Sequence, residues 1–318
     1  MKQEQFEKRH QNAWMEFENC LDRLQKGVGD GADIEQFDSR YRQICKHLSL
    51  ATDRHYSNHL VVRLNRLAMQ GHQVFYRRGS GGIHGFFRLM AWDFPRAVRR
   101  EAKLFWLCNL IFYGPFFLMI ALLQFDPDLI YTLLPREQVS QVEAMYVDAH
   151  NRDVDLSERF AMFGHYIQNN IGIAFRTFAG GIFAGVGSLF FMLLNGFFIG
   201  AIFGHLGQMP YSHNLFSFVC THGAFELTAI VLAGVAGCRI GLAVIAPGPW
   251  SRREALRQAG ERTLPIVYGM TVFLVLAAAI EAFYSPFQIN LWIKYPLAFL
   301  LWTAVFAYLG LAGRTHES

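Results

Sequence analysis

Residues 104–124 form an apolar run without a single charged side chain, bounded by Lys103 and Asp126. A run of about 20 such residues matches the ~30 Å hydrocarbon core of a bilayer when coiled as an α-helix. Such a segment leaves few alternatives, because in lipid the backbone polar groups must be satisfied within the segment itself. Similar runs recur over residues 215–237, 264–284 and 291–311. The chain therefore reads as an all-α, polytopic membrane helix bundle.

The charges agree with this reading. Only 17% of the residues are charged and 53% are hydrophobic, against about 25% charged in an ordinary soluble domain. The charged residues crowd into the part before Leu104, and beyond Ile171 they fall mostly in short connectors. Three regions follow: a cytoplasmic helical region at 1–82, an amphipathic interfacial segment at 83–103, and a transmembrane domain at 104–318 with an external segment at 125–170. A net charge of +4 is too small to argue for nucleic acid as a partner; membrane lipid is the expected one. The polar start Met1-Lys2-Gln3-Glu4-Gln5 lacks the form of a signal peptide. Cys20, Cys45, Cys108, Cys220 and Cys238 are spread without close pairs, which is neither a disulfide framework nor a zinc pattern.

Orientation follows from the positive-inside rule. Arg96, Arg99, Arg100 and Lys103 precede the first span, and Arg252, Arg253, Arg257 and Arg262 sit in the connector at 247–263. Both are expected in the cytoplasm. The segment 125–170 carries Asp126, Asp128, Glu137, Glu143, Asp148, Asp153, Asp155 and Glu158 against Arg136, Arg152 and Arg159, and is expected outside. An external loop and an internal connector need an odd number of crossings between them. Splitting the stretch 171–206 near Asn195-Gly196 satisfies this, giving six spans and cytoplasmic termini; five spans would violate the charge rule once.

Before the spans, Phe6, Trp14, Phe17, Cys20, Leu21 and Leu24 recur at helical spacing, and the pattern resumes over 34–50 and 56–74. The glycine-rich stretches at 27–31 and 79–82 interrupt it as flexible links. Phe86, Phe87, Met90, Trp92 and Phe94 alternate with Arg88, Arg96, Arg99 and Arg100, the composition of a helix lying in the headgroup layer. The other reading is a connector packed on the protein.

Gly181 and Gly185, and then Gly196, Gly200 and Gly204, lie one helical turn apart. Small residues at this spacing let helix backbones approach in lipid. They serve packing within one chain or a homo-oligomeric face.

Ionisable groups inside spans are expensive and usually face the protein interior. His222 and Glu226 stand four apart in one span and share a helix face. Glu281, near the end of the next, joins the candidate cluster with Arg176 and Asn195; Asn169, Asn170 and His205 are further polar residues of these segments. Three readings compete: mutual satisfaction that fixes the packing, an ion or proton path, and a metal or catalytic centre. A His and a Glu at this spacing can hold zinc, but the second His of the metalloprotease pattern is absent. No nucleophile triad, phosphate loop or nucleotide fingerprint occurs, so no cofactor and no catalytic residue is expected.

The order of Asn169-Asn170-Ile171, Phe178-Ala179-Gly180-Gly181, Asn195-Gly196, His222-Gly223, Glu226-Leu227-Thr228-Ala229-Ile230, Pro247-Gly248 with Arg252-Arg253, and Ile280-Glu281 with Ser285-Pro286 resembles the stage II sporulation protein M family of integral membrane proteins. The resemblance covers about 166–311, and residues 41–77 are similar to the start of its longer members. It implies a multi-pass protein of the bacterial cytoplasmic membrane without established catalytic residues. It also implies a non-enzymatic scaffold, similar to the anchor that holds peptidoglycan-degrading partners during spore formation. A transporter or channel-like protein using His222, Glu226 and Glu281 is the alternative, and a metal-dependent intramembrane enzyme the third reading. A scaffold should keep these groups paired and dry. A transporter should place them along a wet cavity open to one side, and an enzyme should add a third ligand and an open coordination site.

Overall fold

The computed structural model describes residues 3–25, 31–79, 82–147, 155–287 and 289–314, which are helices and their connections, without a strand among the described residues. Ser80, Gly81, Asp148, Arg152 and Asp153, and most of the glycine-rich stretch at 27–31, lie outside them. The chain divides into two compact units, Met1–Phe87 and Arg88–Ser318.

The first unit is built from α1 (Gln3–Gln25), α2 (Gly31–Asp53) and α3 (Asn58–Gly79). Each helix turns an apolar stripe inward, and Trp14, Phe17, Ile44, Leu64 and Leu67 are almost wholly buried. The Trp14 indole donates to His47 Nδ1 at 3.0 Å. Gln3 ties the start of α1 to the α2–α3 turn, accepting from the Ser57 amide and donating to its hydroxyl.

The second unit begins within α4 (Gly82–Arg88), continues through a π-helical turn at Leu89–Asp93, and enters α5 (Phe94–Arg100). The segment has two faces. Phe86, Phe87 and Trp92 are exposed, while Phe94 is 0% exposed and packs on Phe273 and Tyr308. Arg96 and Arg99 donate to the carbonyls of Gly313 and Leu309 at 2.7 and 2.8 Å, and the Tyr308 hydroxyl donates to the Met90 carbonyl. These arginines thus satisfy carbonyls at a helix C-terminus, a position that favours cations.

Then come α6 (Ala102–Phe125), the short α7 (Ile130–Leu133) and α8 (Arg136–Val147), and α9 (Leu156–Ala179), α10 (Val186–Leu206), α11 (Ser212–Ile245), α12 (Arg252–Phe283) and α13 (Leu291–Leu311). Among the described residues, five of these (α6, α10, α11, α12 and α13) are long and apolar enough to cross a membrane. The sixth long helix, α9, packs beside α10, α11 and α12, but its first turns carry Glu158 and Arg159. It starts where the Asp155 carboxylate accepts from the Leu156 amide at 2.7 Å, so residues 156–170 belong to a long helix rather than to a loop.

The expected break at Asn195-Gly196 is not there. Both residues lie mid-way along α10, and the chain reverses instead at 180–185. That reversal uses a 3-10 turn at Gly180–Ile182, with Ala184 and Gly185 in the left-handed region (φ 55° and 84°). Asn195 does not open the helix, because its side chain donates back to the Phe191 carbonyl at 2.6 Å.

Helix directions follow from the contacts. Gly196, Gly200 and Gly204 sit in turn against Phe112, Phe116 and Ile120, so α6 and α10 run the same way. Gly234, Gly237 and Gly241 meet Met192, Ser188 and Gly185, so α11 runs against α10. At one end of the bundle Arg239 pairs with Glu101 at 3.3 Å. At the other, His205 meets Glu143 at 2.7 Å and Asn214 donates to the Tyr146 carbonyl at 2.8 Å. The acidic segment around α8 and the arginine-rich start of α12 therefore occupy opposite ends. At the centre lies α11: 67% of its most apolar stretch is buried, against 22–28% for α6, α10 and α13.

Candidate functional site: an ionisable cluster between α11 and α12

The site starts from helical spacing. His222 and Glu226 are one turn apart on α11, on the face turned to the end of α12. Glu281 stands on the last turn of α12, and Ser285 follows just after it. His222 Nδ1 lies 3.0 Å from the Ser285 hydroxyl, and His222 Nε2 lies 3.8 Å from a Glu226 carboxylate oxygen. One ligand atom from each of His222, Glu226 and Glu281 falls within 4.8 Å of the other two. Lys294, itself 2% exposed, donates to the Ser285 carbonyl at 2.8 Å and so fixes the turn that presents Ser285.

The surroundings are buried and only partly satisfied. Glu281 Oε2 and the Asn170 amide nitrogen have no hydrogen-bond partner, although the Asn170 side chain lies against Glu281 and is 4% exposed. Asn169 donates to the Asn170 carbonyl oxygen at 3.1 Å, which turns the Asn170 amide toward the carboxylate. No Lys or Arg lies within ion-pair distance of Glu226 or Glu281 among the described residues. From α8, Tyr146 stands over the same group. Burial first, then the charges of Glu281 and Glu226, push its phenol up to about 12.

Two residues expected in the cluster are elsewhere. Arg176 is exposed and donates to the Gly172 carbonyl at 3.0 Å. It stands about one and two-thirds turns beyond Asn170, which carries it round α9 and toward the opposite end of the bundle. Asn195 is bound to its own helix, as described above. Asn170 and Ser285, both named from the sequence, do reach the cluster, whereas sequence reasoning missed Tyr146 and gave Ser285 no role in it. A serine beside a proline and a tyrosine in a polar segment carry no signal of their own.

The glycines sit where backbones touch. A Cβ on Gly204 would lie 2.9 Å from Leu123 Cδ1, and one on Gly180 would lie 2.6 Å from the carbonyl carbon of Gly187. Gly181 faces Gly237 and Gly185 faces Gly241. The close approaches are thus made within the chain. Cys108 on α6 and Cys238 on α11 are also buried in one core cluster, a proximity invisible at a separation of 130 positions. An apolar cleft of about 1030 Å³ opens between α6 and α13, lined by Trp106, Tyr113, Phe117, Phe216, Trp302 and Phe306 among others. None of the three ionisable residues lines it.

Comparison with known proteins agrees with this architecture. The profile of the stage II sporulation protein M family matches residues 107–286, and a domain of unknown function matches residues 4–77. The chain is similar to an uncharacterized protein of Methanocaldococcus jannaschii, with 25% identity over 126 residues, covering 39% of this chain and 71% of that one. No solved structure matches the chain.

Proposed function

Because this chain belongs to the stage II sporulation protein M family, we propose that it is a non-enzymatic membrane scaffold that assembles envelope proteins, in particular enzymes that remodel peptidoglycan. It works in the bacterial cytoplasmic membrane, with both termini and the arginine-rich start of α12 in the cytoplasm and α8 outside. The observation that carries this reading is the glycine packing. Helices α6, α9, α10 and α11 touch at backbone distance through Gly181, Gly196, Gly200, Gly237 and Gly241. Such helices cannot slide or rock without losing their packing, which suits a fixed platform better than the moving repeats of a transporter. The test is cross-linking in native membranes followed by purification of the full-length protein. Peptidoglycan-acting enzymes should be enriched over an unrelated multi-pass control. A preparation with no envelope protein enriched, together with a wild-type envelope in the deletion strain, overturns the reading.

One observation favours the transport alternative: Glu281 keeps a buried oxygen without a partner. Glu226→Gln and Glu226→Leu separate the two. A carboxylate that serves only as a hydrogen-bond partner tolerates the amide and is destabilised by Leu, by about 1–3 kcal/mol for the lost partner. A transporting one gives a stable Gln variant with a null phenotype, because an amide cannot carry a proton.

A further inference from the structure

We propose that His222, Glu226 and Glu281 together bind one divalent cation of the zinc class, joining α11 to α12 near the end of the bundle that carries α8. Three donor atoms mutually within 4.8 Å leave a central point no more than roughly 2.8 Å from each. Zinc bonds to histidine nitrogen and carboxylate oxygen are about 2.0–2.2 Å, so small side-chain movements close the site. One imidazole with two carboxylates, leaving a further position open, is a donor set such cations accept.

The histidine is already oriented for the task. In the tautomer that carries the proton on Nδ1, His222 donates to the Ser285 hydroxyl 3.0 Å away, and Nε2 keeps its lone pair and faces Glu226. Ligating histidines are typically held by such a partner on the other nitrogen. Here Lys294 braces the serine through its carbonyl.

A second observation also points to a ligand. Asn170 is 4% exposed, and its amide nitrogen is orphaned beside Glu281, which itself has an orphaned oxygen. With one Glu281 oxygen on a cation, the other would be left to accept from that amide, which would give both atoms a partner. Charge balance agrees: two carboxylates stand beside one imidazole, with no Lys or Arg paired to either among the described residues. A dication neutralises both, in a region where unbalanced charge is costly.

The experiment uses full-length protein in detergent. Bound metal is measured by elemental analysis, and melting temperature is followed with EDTA and after adding back Zn²⁺, Mg²⁺ or Ca²⁺. The expected result is about one zinc-class ion per chain, a fall in melting temperature on chelation, and recovery with Zn²⁺ but not with Mg²⁺ or Ca²⁺. Glu281→Gln should weaken zinc binding by tenfold or more and lose the recovery, while Glu143→Gln, whose carboxylate lies outside the cluster, should keep both. Ser285→Ala should bind zinc about tenfold more weakly while retaining all three ligands. Wild-type protein with no bound metal and no zinc-dependent melting shift overturns the proposal. So does an equal shift in wild type and Glu281→Gln. Should Glu281→Gln fail to fold, the chelation and add-back series on wild type, with Glu143→Gln beside it, decides alone.

Discussion

Gly181 and Gly237 meet backbone to backbone: a Cβ on Gly181 would lie 2.6 Å from the carbonyl carbon of Gly237. Nothing at this contact is a flexible side chain that can move aside. The turn at 180–185 is therefore clamped onto α11 by the absence of two methyl groups.

Gly181→Ala should accordingly destabilise the bundle by about 1–3 kcal/mol or more, the range for overpacking a filled interior. Gly114→Ala is the control, because no atom lies within 4 Å of the Cβ it would add. Detergent melting temperatures of the two variants test the difference. Equal losses would show that the Gly181 contact does not govern stability.

The docking of α5 makes a second contrast. Phe94 is buried between Phe273 and Tyr308, whereas Phe87 is 63% exposed. Phe94→Ala should cost about 3–5 kcal/mol through the cavity it leaves, and Phe87→Ala should leave stability nearly unchanged while weakening partition into lipid. Melting temperature together with binding to anionic vesicles reads both effects.

In the first unit the pH dependence has a definite sign. Burial, followed by the charges of His10 and Lys46, lowers His47 from 6.5 to about 4. The folded unit thus binds fewer protons than the unfolded chain between these values. Its stability is fully present above pH 6.5 and is lost as pH falls toward 4. The loss should be on the order of 1–2 kcal/mol once solvent screening is allowed for, because protonation at Nδ1 removes the acceptor for Trp14. Amide exchange across residues 3–79 at pH 7 and pH 4.5 measures it. His47→Gln, which can accept from Trp14 but does not titrate, should flatten the response.

Topology gives a fourth test. Cysteines placed at Ser140 on α8 and at Trp250 before α12, in a chain with its five native cysteines replaced, should differ in intact cells. Ser140→Cys should react with a membrane-impermeant reagent and Trp250→Cys should not. The opposite pattern inverts the orientation and would put the arginines of α12 outside.

How far the chain could be read in advance depended on what lipid enforces locally. Residues 291–311 were expected as a span, and α13 has these bounds, because a long apolar run has one solution in a membrane even with the single Lys294 in its first turn. Asn195-Gly196 misled because the same pair signals a turn in water. Within α10 the asparagine bonds its own helix and the glycine serves a neighbour. The tight reversal at 180–185 was visible only as a dense run of small residues. The cluster was half legible. His222 and Glu226 follow from spacing along one helix, and Glu281 and Asn170 from being polar at membrane depth, but which of the polar residues meet is decided by packing over more than fifty positions, so Arg176 and Asn195 were included and Tyr146 was not.

The central place of α11 has a consequence for how the protein is made. Helices α6, α9 and α10 leave the ribosome first, yet the surfaces that Gly181, Gly185 and Met192 close upon belong to residues 234–241. Until α11 is synthesised these earlier helices have entered the bilayer without their final neighbours. Assembly therefore includes the entry of one long helix among segments already inserted, before α12 and α13 are made and pack on it in turn. Nascent chains halted before residue 212 should be the species that insertases hold and membrane proteases remove.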